Sequence, residues 1–237
     1  MRPPRILLLF CCAALAGAAV PGARSADDPY AALLAPSGQC GAAADQLGLD
    51  QAAAQQAMTC LTNYARGESG LVPLQLNSAL NDAGQAKLAA DLSCGEFSHT
   101  PCGQPFTGVF GTYLRGATSY GVGENLAWGT GSFGTPRQTM SGWLHSTGHR
   151  ENILTADYRE LGIGYLPDQT FQGYAGATLW SEEFGVRTPA SPSTSGPTSS
   201  PPPARVQPVS APAATKPVLK KQPTRHRKTR RRLHLHG

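Results

Sequence analysis

The chain has 237 residues, enough for one or two domains, and a formal net charge of +5. The charge is unevenly divided: residues 27–187 carry seven bases and fifteen acids, a net of −8, whereas residues 188–237 carry ten bases and no acid. The composition therefore excludes a basic folded domain, since the positive charge belongs to the tail.

The first 25 residues predict a secretory signal peptide. A basic start over residues 1–5 is followed by an apolar run over residues 6–20. That run is too short and wrongly flanked for a stable membrane span. Cleavage can follow Ala18 or Ser25. A lipid anchor at Cys11 is disfavoured because a bulky residue precedes it. We therefore expect a secreted, extracellular protein.

Cysteines in an exported chain are expected to form disulfides. Without the signal peptide four remain: Cys40, Cys60, Cys94 and Cys102. Three pairings are possible, and we favour Cys40–Cys60 with Cys94–Cys102 because these pairs close the shortest loops. The alternative is a four-thiolate zinc site, but the Cys-x-x-Cys spacing typical of such sites is absent.

An N-terminal leader over residues 26–49 precedes a folded domain predicted over residues 50–187. The domain opens with a helix from about Asp50, its N-cap, to Arg66. Five residues share one face of this helix by their spacing. They are Ala53, Ala57, Cys60, Leu61 and Tyr64.

A second helix is predicted from Asn77 or Ser78 to about Leu92. Its stripe of small residues allows close packing against a neighbour. The stripe consists of Ala79, Ala83, Ala86 and Ala90. Residues 93–121 then predict a long loop that contains His99 and the second cysteine pair.

The last part of the domain combines one helix with strands. Residues 123–128 predict a short strand or turn, and a helix follows from Thr135, its N-cap, to Gly148. Alternating residues predict strands near 161–165 and 174–180, with a hairpin loop over 167–173. Helices first and strands last predict an α+β fold.

Polar residues cluster in the sequence around two tryptophans, Trp128 and Trp143. This set predicts a polar cleft with aromatic walls, and the alternative is that its members cap turns or lie on the surface. It contains Glu124, Asn125, His145, Ser146, His149, Arg150 and Asn152. The two histidines are four residues apart, but no glutamate follows His145, so the zincin motif is absent.

The C-terminal residues predict a disordered linker over 188–218, rich in proline, serine, threonine and alanine, and a basic tail over 219–237. Basic runs bind polyanions. Behind a signal peptide we expect an anionic cell-wall polymer or membrane surface as partner rather than nucleic acid. The alternative is a tail that is only solvated.

Six motifs in order resemble those of the CAP superfamily, the cysteine-rich secretory, antigen 5 and pathogenesis-related proteins, and most closely its bacterial secreted branch. They lie within residues 61–185 and are Leu61–Arg66 with Gly70–Leu74, Phe97–His99, Gly123–Leu126, Trp143–Leu154, Tyr158–Gly164 and Trp180–Gly185.

The resemblance implies a three-layer α-β-α sandwich with a central antiparallel sheet and a shallow cleft. In the family this cleft holds two histidines and two glutamates, and some members bind a divalent metal there. His99 is similar in position to the first histidine and Glu124 to the first glutamate. Ser146 stands at the place of the second glutamate and Asp157 at that of the second histidine.

Two departures from the family pattern follow, because Ser146 and Asp157 replace the expected residues. His149 is an alternative source of the second imidazole. The predicted ligand cleft thus contains His99, Glu124, Asn125, Ser146, His149 and Asp157. A divalent metal such as Zn²⁺ would be held by His99, His149 and Glu124.

Three functions are compatible with these residues. The first is a non-catalytic binding module for a small or lipidic ligand, tethered to an anionic envelope by the basic tail. The second is a peptidase or wall-active hydrolase with His99 or His149 as base, aided by Glu124, or with Ser146 as nucleophile. The third is a structural role for these polar residues.

Overall fold

The computed structural model of the chain describes residues 28–190 and 233–236. The predicted signal peptide, most of the predicted linker and most of the basic tail lie outside these residues. Within the described ranges, none of the helices combines the length and the apolar character that crossing a bilayer requires.

A five-stranded sheet with the order β1-β3-β4-β2-β5 forms the centre of the domain. Its strands are β1 (Gln75–Leu76), β2 (Ala117–Thr130), β3 (Glu160–Phe171), β4 (Tyr174–Pro189) and β5 (Leu233–His236). The long strands β2, β3 and β4 run antiparallel, as predicted. The two-residue strand β1 lies parallel to β3, so the whole sheet is mixed.

Helices cover both faces of the sheet. They are α1 (Gln51–Glu68), α2 (Ser78–Cys94), α3 (Gly111–Leu114), α4 (Pro136–His145) and α5 (Thr147–Ile153). Helices α2 and α3 pack on one face, whereas α1, α4 and α5 share a core with the other. Short 3₁₀ segments lie at Ala31–Leu33, Ala42–Asp45, Pro101–Gly103, Phe106–Phe110 and Gly131–Gly134. The α+β sandwich of three layers is therefore confirmed.

The first two helices begin where the sequence predicts. The Asp50 carboxylate accepts a hydrogen bond from the backbone N–H of Ala53 at 2.7 Å, and Asn77 caps α2. The predicted stripe of α2 is wrong, because Ala86 is exposed. The residues that α2 buries are Leu80, Ala83, Gly84, Lys87, Leu88 and Asp91. This face carries a lysine and an aspartate into the domain.

Helix α2 lies unusually close to strand β3, and glycines permit this approach. A Cβ atom at Gly162 would lie 2.0 Å from the carbonyl carbon of Leu80, and one at Gly164 would lie 2.4 Å from that of Gly84. Any larger side chain at Gly162 would push the helix away from the sheet.

Three predicted boundaries of the domain differ from those in the structure. The helix break falls at Ser146, between α4 and α5, and not at Gly148, which lies within α5. The hairpin between β3 and β4 turns at Gln172–Gly173. Residues 167–171, which were predicted as loop, belong to β3 and pair with β4 through two shifts in register. Strand β2 also takes in residues 117–121, which were predicted as loop.

Two disulfides are formed, Cys40–Cys60 and Cys94–Cys102. This is the pairing that closes the shortest loops. The first bond ties the N-terminal leader to α1, and the second ties the end of α2 to the loop that carries His99. The two disulfides thus tie the N-terminal leader and the His99 loop covalently to helices of the domain.

Candidate functional site

Adjacent residues of strand β2 place two polar clusters on opposite faces of the sheet. Side chains alternate along a strand, so Glu124 and Asn125 point in opposite directions. In the antiparallel register Glu124 lies opposite Glu183 and Asn125 lies opposite Glu182. The predicted single cleft is therefore two sites, the His99 cluster beneath α2 and the Asn125 cluster beneath α1 and α5.

The His99 cluster is an imidazole–carboxylate pair backed by a buried ammonium. His99 Nδ1 lies 2.5 Å from Glu124 Oε1. Lys87 Nζ lies 3.4 Å from Glu124 Oε2 and donates a hydrogen bond to the carbonyl oxygen of His99. Burial is graded, because the side chains of Glu124 and Lys87 are 0% and 2% exposed whereas that of His99 is 26% exposed. Of these three side chains, the imidazole of His99 is therefore the one that contacts solvent.

A short loop stapled by the Cys94–Cys102 disulfide presents His99. The carboxylate of Asp91, near the end of α2, accepts from the backbone N–H of Ser98 at 3.4 Å. That of Glu96 accepts from the N–H of Cys102 at 2.9 Å. One carboxylate of α2 and one of the loop therefore accept from backbone donors of the loop, and His99 is held over Glu124 by covalent and polar constraints together.

Burial raises the pKa of every carboxyl group behind His99. It raises the pKa of Glu124 to about 7, against the opposing effect of the Lys87 ammonium. Burial raises the pKa of Asp91 to about 7 as well. The pKa of Glu183 is well above its ordinary value, first because of burial and then because of the Glu124 charge. Near neutral pH the cluster therefore holds protons that exposed carboxyls would have lost.

The Asn125 cluster is a buried network. The Asn125 amide donates to the carbonyl oxygen of His149 at 3.1 Å, and that of Asn152 donates to Asn125 Oδ1 at 2.9 Å. Thr62 Oγ1 lies 3.0 Å from the carbonyl oxygen of Met58 and 2.5 Å from Glu182 Oε1. A hydroxyl has one hydrogen, so the arrangement fits a protonated Glu182 that donates to Thr62 while Thr62 donates to Met58. Burial raises the pKa of Glu182 to about 8, which agrees.

The other predicted site residues lie apart from Glu124. His149 is 1% exposed and belongs to α5, on the face of Asn125. Ser146 stands at the α4–α5 junction and lines a separate cavity, and Asp157 is exposed in the segment before β3. His145 holds the N-terminal leader, since its Nε2 lies 2.9 Å from an oxygen of Asp28. Of the predicted set, the structure pairs His99 with Glu124 in one cluster and Asn125 with His149 in the other.

A divalent metal does not fit the predicted ligands His99, His149 and Glu124. The two histidines belong to opposite faces of the sheet, and within the described ranges no three histidine, cysteine or acidic side chains converge as a metal would require. The Lys87 ammonium beside Glu124 also opposes a second cation there. The sequence analysis placed these three residues in one cleft, whereas the structure divides them between the two faces of the sheet.

The expected aromatic walls are core residues instead. Trp128 is 2% exposed and packs beneath α2, whereas Trp143 is fully buried on the opposite face. Each indole that the sequence placed beside the cleft therefore stabilises a different core. His99 lines neither the cavity beside α4 nor the one at Leu47–Gly48.

Three residues of the His99 cluster were missed from the sequence: Lys87, Asp91 and Glu183. The first two lie on the true buried face of α2, and a correct helical phase would have identified them. Glu183 was visible within the Trp180–Gly185 motif, where two consecutive acids enter an apolar strand. Its partner Glu124 is 59 residues away, and only strand register pairs them.

Comparison with known proteins agrees with the motifs. The model of the cysteine-rich secretory protein family, CAP, matches residues 59–184, more than half of the chain. An uncharacterized protein of Bacillus subtilis, YkwD, is 32% identical over 128 residues, which are 52% of this chain and 44% of that protein. The chain thus spans less than half the length of this relative.

Two similar solved structures are named as an outer surface protein and as an extracellular protein of bacteria. An outer surface protein of Borrelia burgdorferi has a TM-score of 0.44 at 17% identity, over 54% of this chain and 87% of that one. An extracellular SCP-domain protein of Bacillus anthracis has a TM-score of 0.40 at 19% identity, over 59% and 44%. By the match of the family model over more than half of its residues, the chain belongs to the cysteine-rich secretory protein (CAP) family.

Proposed function

We propose that this protein is a secreted, non-catalytic binding module whose ligand contacts the His99 imidazole. The observation that carries this proposal is the graded burial of the His99 cluster. Glu124 and Lys87 are covered, so a ligand meets the ring and not the carboxylate. A buried carboxylate that orients a surface imidazole gives a fixed hydrogen-bonding group for a small molecule or a lipid headgroup.

Secretion is supported by two independent features. Two disulfides in a chain of this size are typical of exported proteins, and the family is named for secretory members. The basic tail would then tether the module to an anionic cell-wall polymer or membrane surface. Its ten bases without an acid support this, since clustered cations bind polyanions.

Native mass spectrometry of the full chain recovered from culture medium tests the proposed ligand site. We expect a bound mass of lipid or small-molecule size that is lost in His99→Ala. His145→Ala is the matched control, because His145 is also a partly exposed histidine but contacts Asp28 rather than Glu124. A bound mass that survives His99→Ala would place the ligand elsewhere.

A hydrolase is the second candidate, and the 2.5 Å contact between His99 and Glu124 favours it. A carboxylate that orients an imidazole equips it to take a proton from water. The candidates Ser146 and His149 support this function less, because His149 is covered. Release of fragments from casein or peptidoglycan by the wild-type chain, abolished in His99→Ala and kept in His145→Ala, would establish catalysis over simple binding.

A further inference from the structure

The C-terminal strand β5 completes an edge of the sheet that would otherwise be open. It pairs antiparallel with Leu126–Gly129 of β2, the outermost long strand on this side. All four residues of that stretch are buried. Backbone N–H and C=O groups along such an edge need hydrogen-bond partners, and an extended strand supplies them.

Side chains limit this pairing site at its N-terminal end. The carbonyl oxygen of Glu124 accepts from the Asn152 amide at 3.1 Å, and that of Leu126 accepts from the Trp143 indole at 3.1 Å. The carbonyl groups of Glu124, before the stretch, and of Leu126, its first residue, therefore already have partners within the domain. The stretch Leu126–Gly129 is thus a strand site of defined length rather than part of a long open edge.

A depression lies beside this edge, and one side chain of the docked strand lines it. Leu235 is half-buried and packs against the core that α1 and α4 share. It forms one wall of a cavity of about 480 Å³. The other lining residues are Phe133, Gln138, Ser141, Gly142, His145 and Ser146. Backbone pairing with a pocket for one side chain is how sheet edges recognise extended peptides.

The docked strand is short, and a long stretch of sequence separates it from the rest of the domain. It forms four residue pairs, and 42 residues separate it from Ala190, the last residue described after β4. So few contacts stabilise a strand weakly, and elements of this kind open first. A tether holds such a segment near its site by raising its local concentration.

We propose that the β2 edge at Leu126–Gly129 and the adjoining depression form a docking site for an extended peptide strand with leucine at the position of Leu235. The chain's own C-terminal strand is the resident and displaceable ligand of this site. The site is separate from the His99 cluster, so this proposal stands independently of the proposed function. It also gives Ser146 a place as a pocket residue.

Binding of the free strand in trans tests the proposal. The probe is a fluorescent peptide of residues 231–237, added to the full chain and followed by anisotropy. We expect Leu235→Asp to weaken the resident strand and so to open the site to the probe. If the resident strand is docked about nine-tenths of the time, the wild type binds the probe about tenfold more weakly than this variant does.

Two controls separate strand docking from attraction of a basic peptide to an acidic domain. Leu219→Asp makes the same chemical change in the tail outside β5, and it should bind the probe as the wild type does. A probe that carries Leu235→Asp keeps both arginines and should bind no protein form. Hydrogen exchange of β3 and β4 reports whether the Leu235→Asp variant is folded. If it is poorly folded, a chain that ends at Arg232 takes its place in the experiment.

Hydrogen exchange locates the bound probe. Saturating probe should restore slow exchange to the fragment that contains Leu126–Gly129 in the Leu235→Asp chain. Failure of the probe to bind that chain, or equal binding to wild type and variant, would overturn the proposal. A concentration-dependent wild-type dimer that exchanges tails would also overturn it, because the occupant would then belong to a second copy.

Discussion

At the scale of single residues, the Lys87 ammonium stabilises the ionised form of the buried acids in the His99 cluster. Its ammonium is buried against Glu124, and it also holds the backbone of His99 through a hydrogen bond. The cluster contains three acids with a raised pKa, so one cation serves several carboxyl groups. Removing a partner from a buried ion pair leaves the other charge without compensation.

Lys87→Met should destabilise the domain, and more so at alkaline pH. Without the ammonium, the buried carboxyl group of Glu124 must stay protonated. This costs little free energy at pH 5.5 and much more at pH 8.5, where an exposed carboxyl group is fully ionised. We expect a loss of about 3 kcal/mol in the free energy of unfolding at the higher pH and a smaller loss at the lower pH. Urea unfolding at both pH values measures this.

The double variant Lys87→Met/Glu124→Gln is the control for this prediction. A neutral amide needs no cation, so most of the pH-dependent part of the loss should disappear. An equal loss at both pH values in the single variant would show that Lys87 acts through packing alone.

At the scale of elements, the contact between α2 and β3 positions the site. Helix α2 carries Lys87 and Asp91, and its distance from the sheet is set by Gly84, Gly162 and Gly164. A Cβ atom at Gly162 would meet backbone atoms of the helix, which cannot move aside independently. The same contact therefore affects both stability and the geometry beneath His99.

Gly162→Ala should destabilise the domain by about 3 kcal/mol or more, because overpacking moves a whole helix. Gly148→Ala is the matched control, since nothing lies within 4 Å of a Cβ atom there and Gly148 lies in helix α5. The control should change stability by less than about 1 kcal/mol, and alanine favours the helix. Chemical denaturation compares the two, and equal effects would contradict the close contact.

At the scale of the whole molecule, buried acids set the response of stability to pH. The folded pKa values of Asp91, Glu124, Glu182 and Glu183 are all raised above the values of exposed carboxyls, mainly by burial. The folded state therefore binds more protons than the unfolded state between about pH 4.5 and 8. This contribution to stability is complete below that window and is lost as the pH rises through the folded pKa values.

The melting temperature should accordingly fall by several degrees between pH 5 and pH 8.5. Glu182→Gln should reduce that fall, because a neutral amide can replace the protonated acid beside Thr62 without titrating. Glu151→Gln, a change at an exposed acid of α5, should leave the fall unaltered. Calorimetry across this range measures the three proteins, and a wild-type melting temperature that rises with pH would contradict the protonated carboxyls.

Local signals in the sequence were sufficient for part of the site. His99 and Glu124 were found because each stands in a short motif whose order along the chain is typical of the family. Helix starts at Asp50 and Asn77 were also predictable, since capping depends on residues within three positions. The partners of these residues were harder to find, because a helical phase error of one position hides Lys87.

By itself, the sequence determined the family, the α+β sandwich and the identity of the His99–Glu124 pair, because these depend on local motifs and their order. Only the tertiary structure decided that Asn125 and His149 belong to another face, that Glu183 stands opposite Glu124, and that the last strand closes the β2 edge. Strand register and the alternation of side chains decide such relations, and both arise from contacts between residues far apart in the chain.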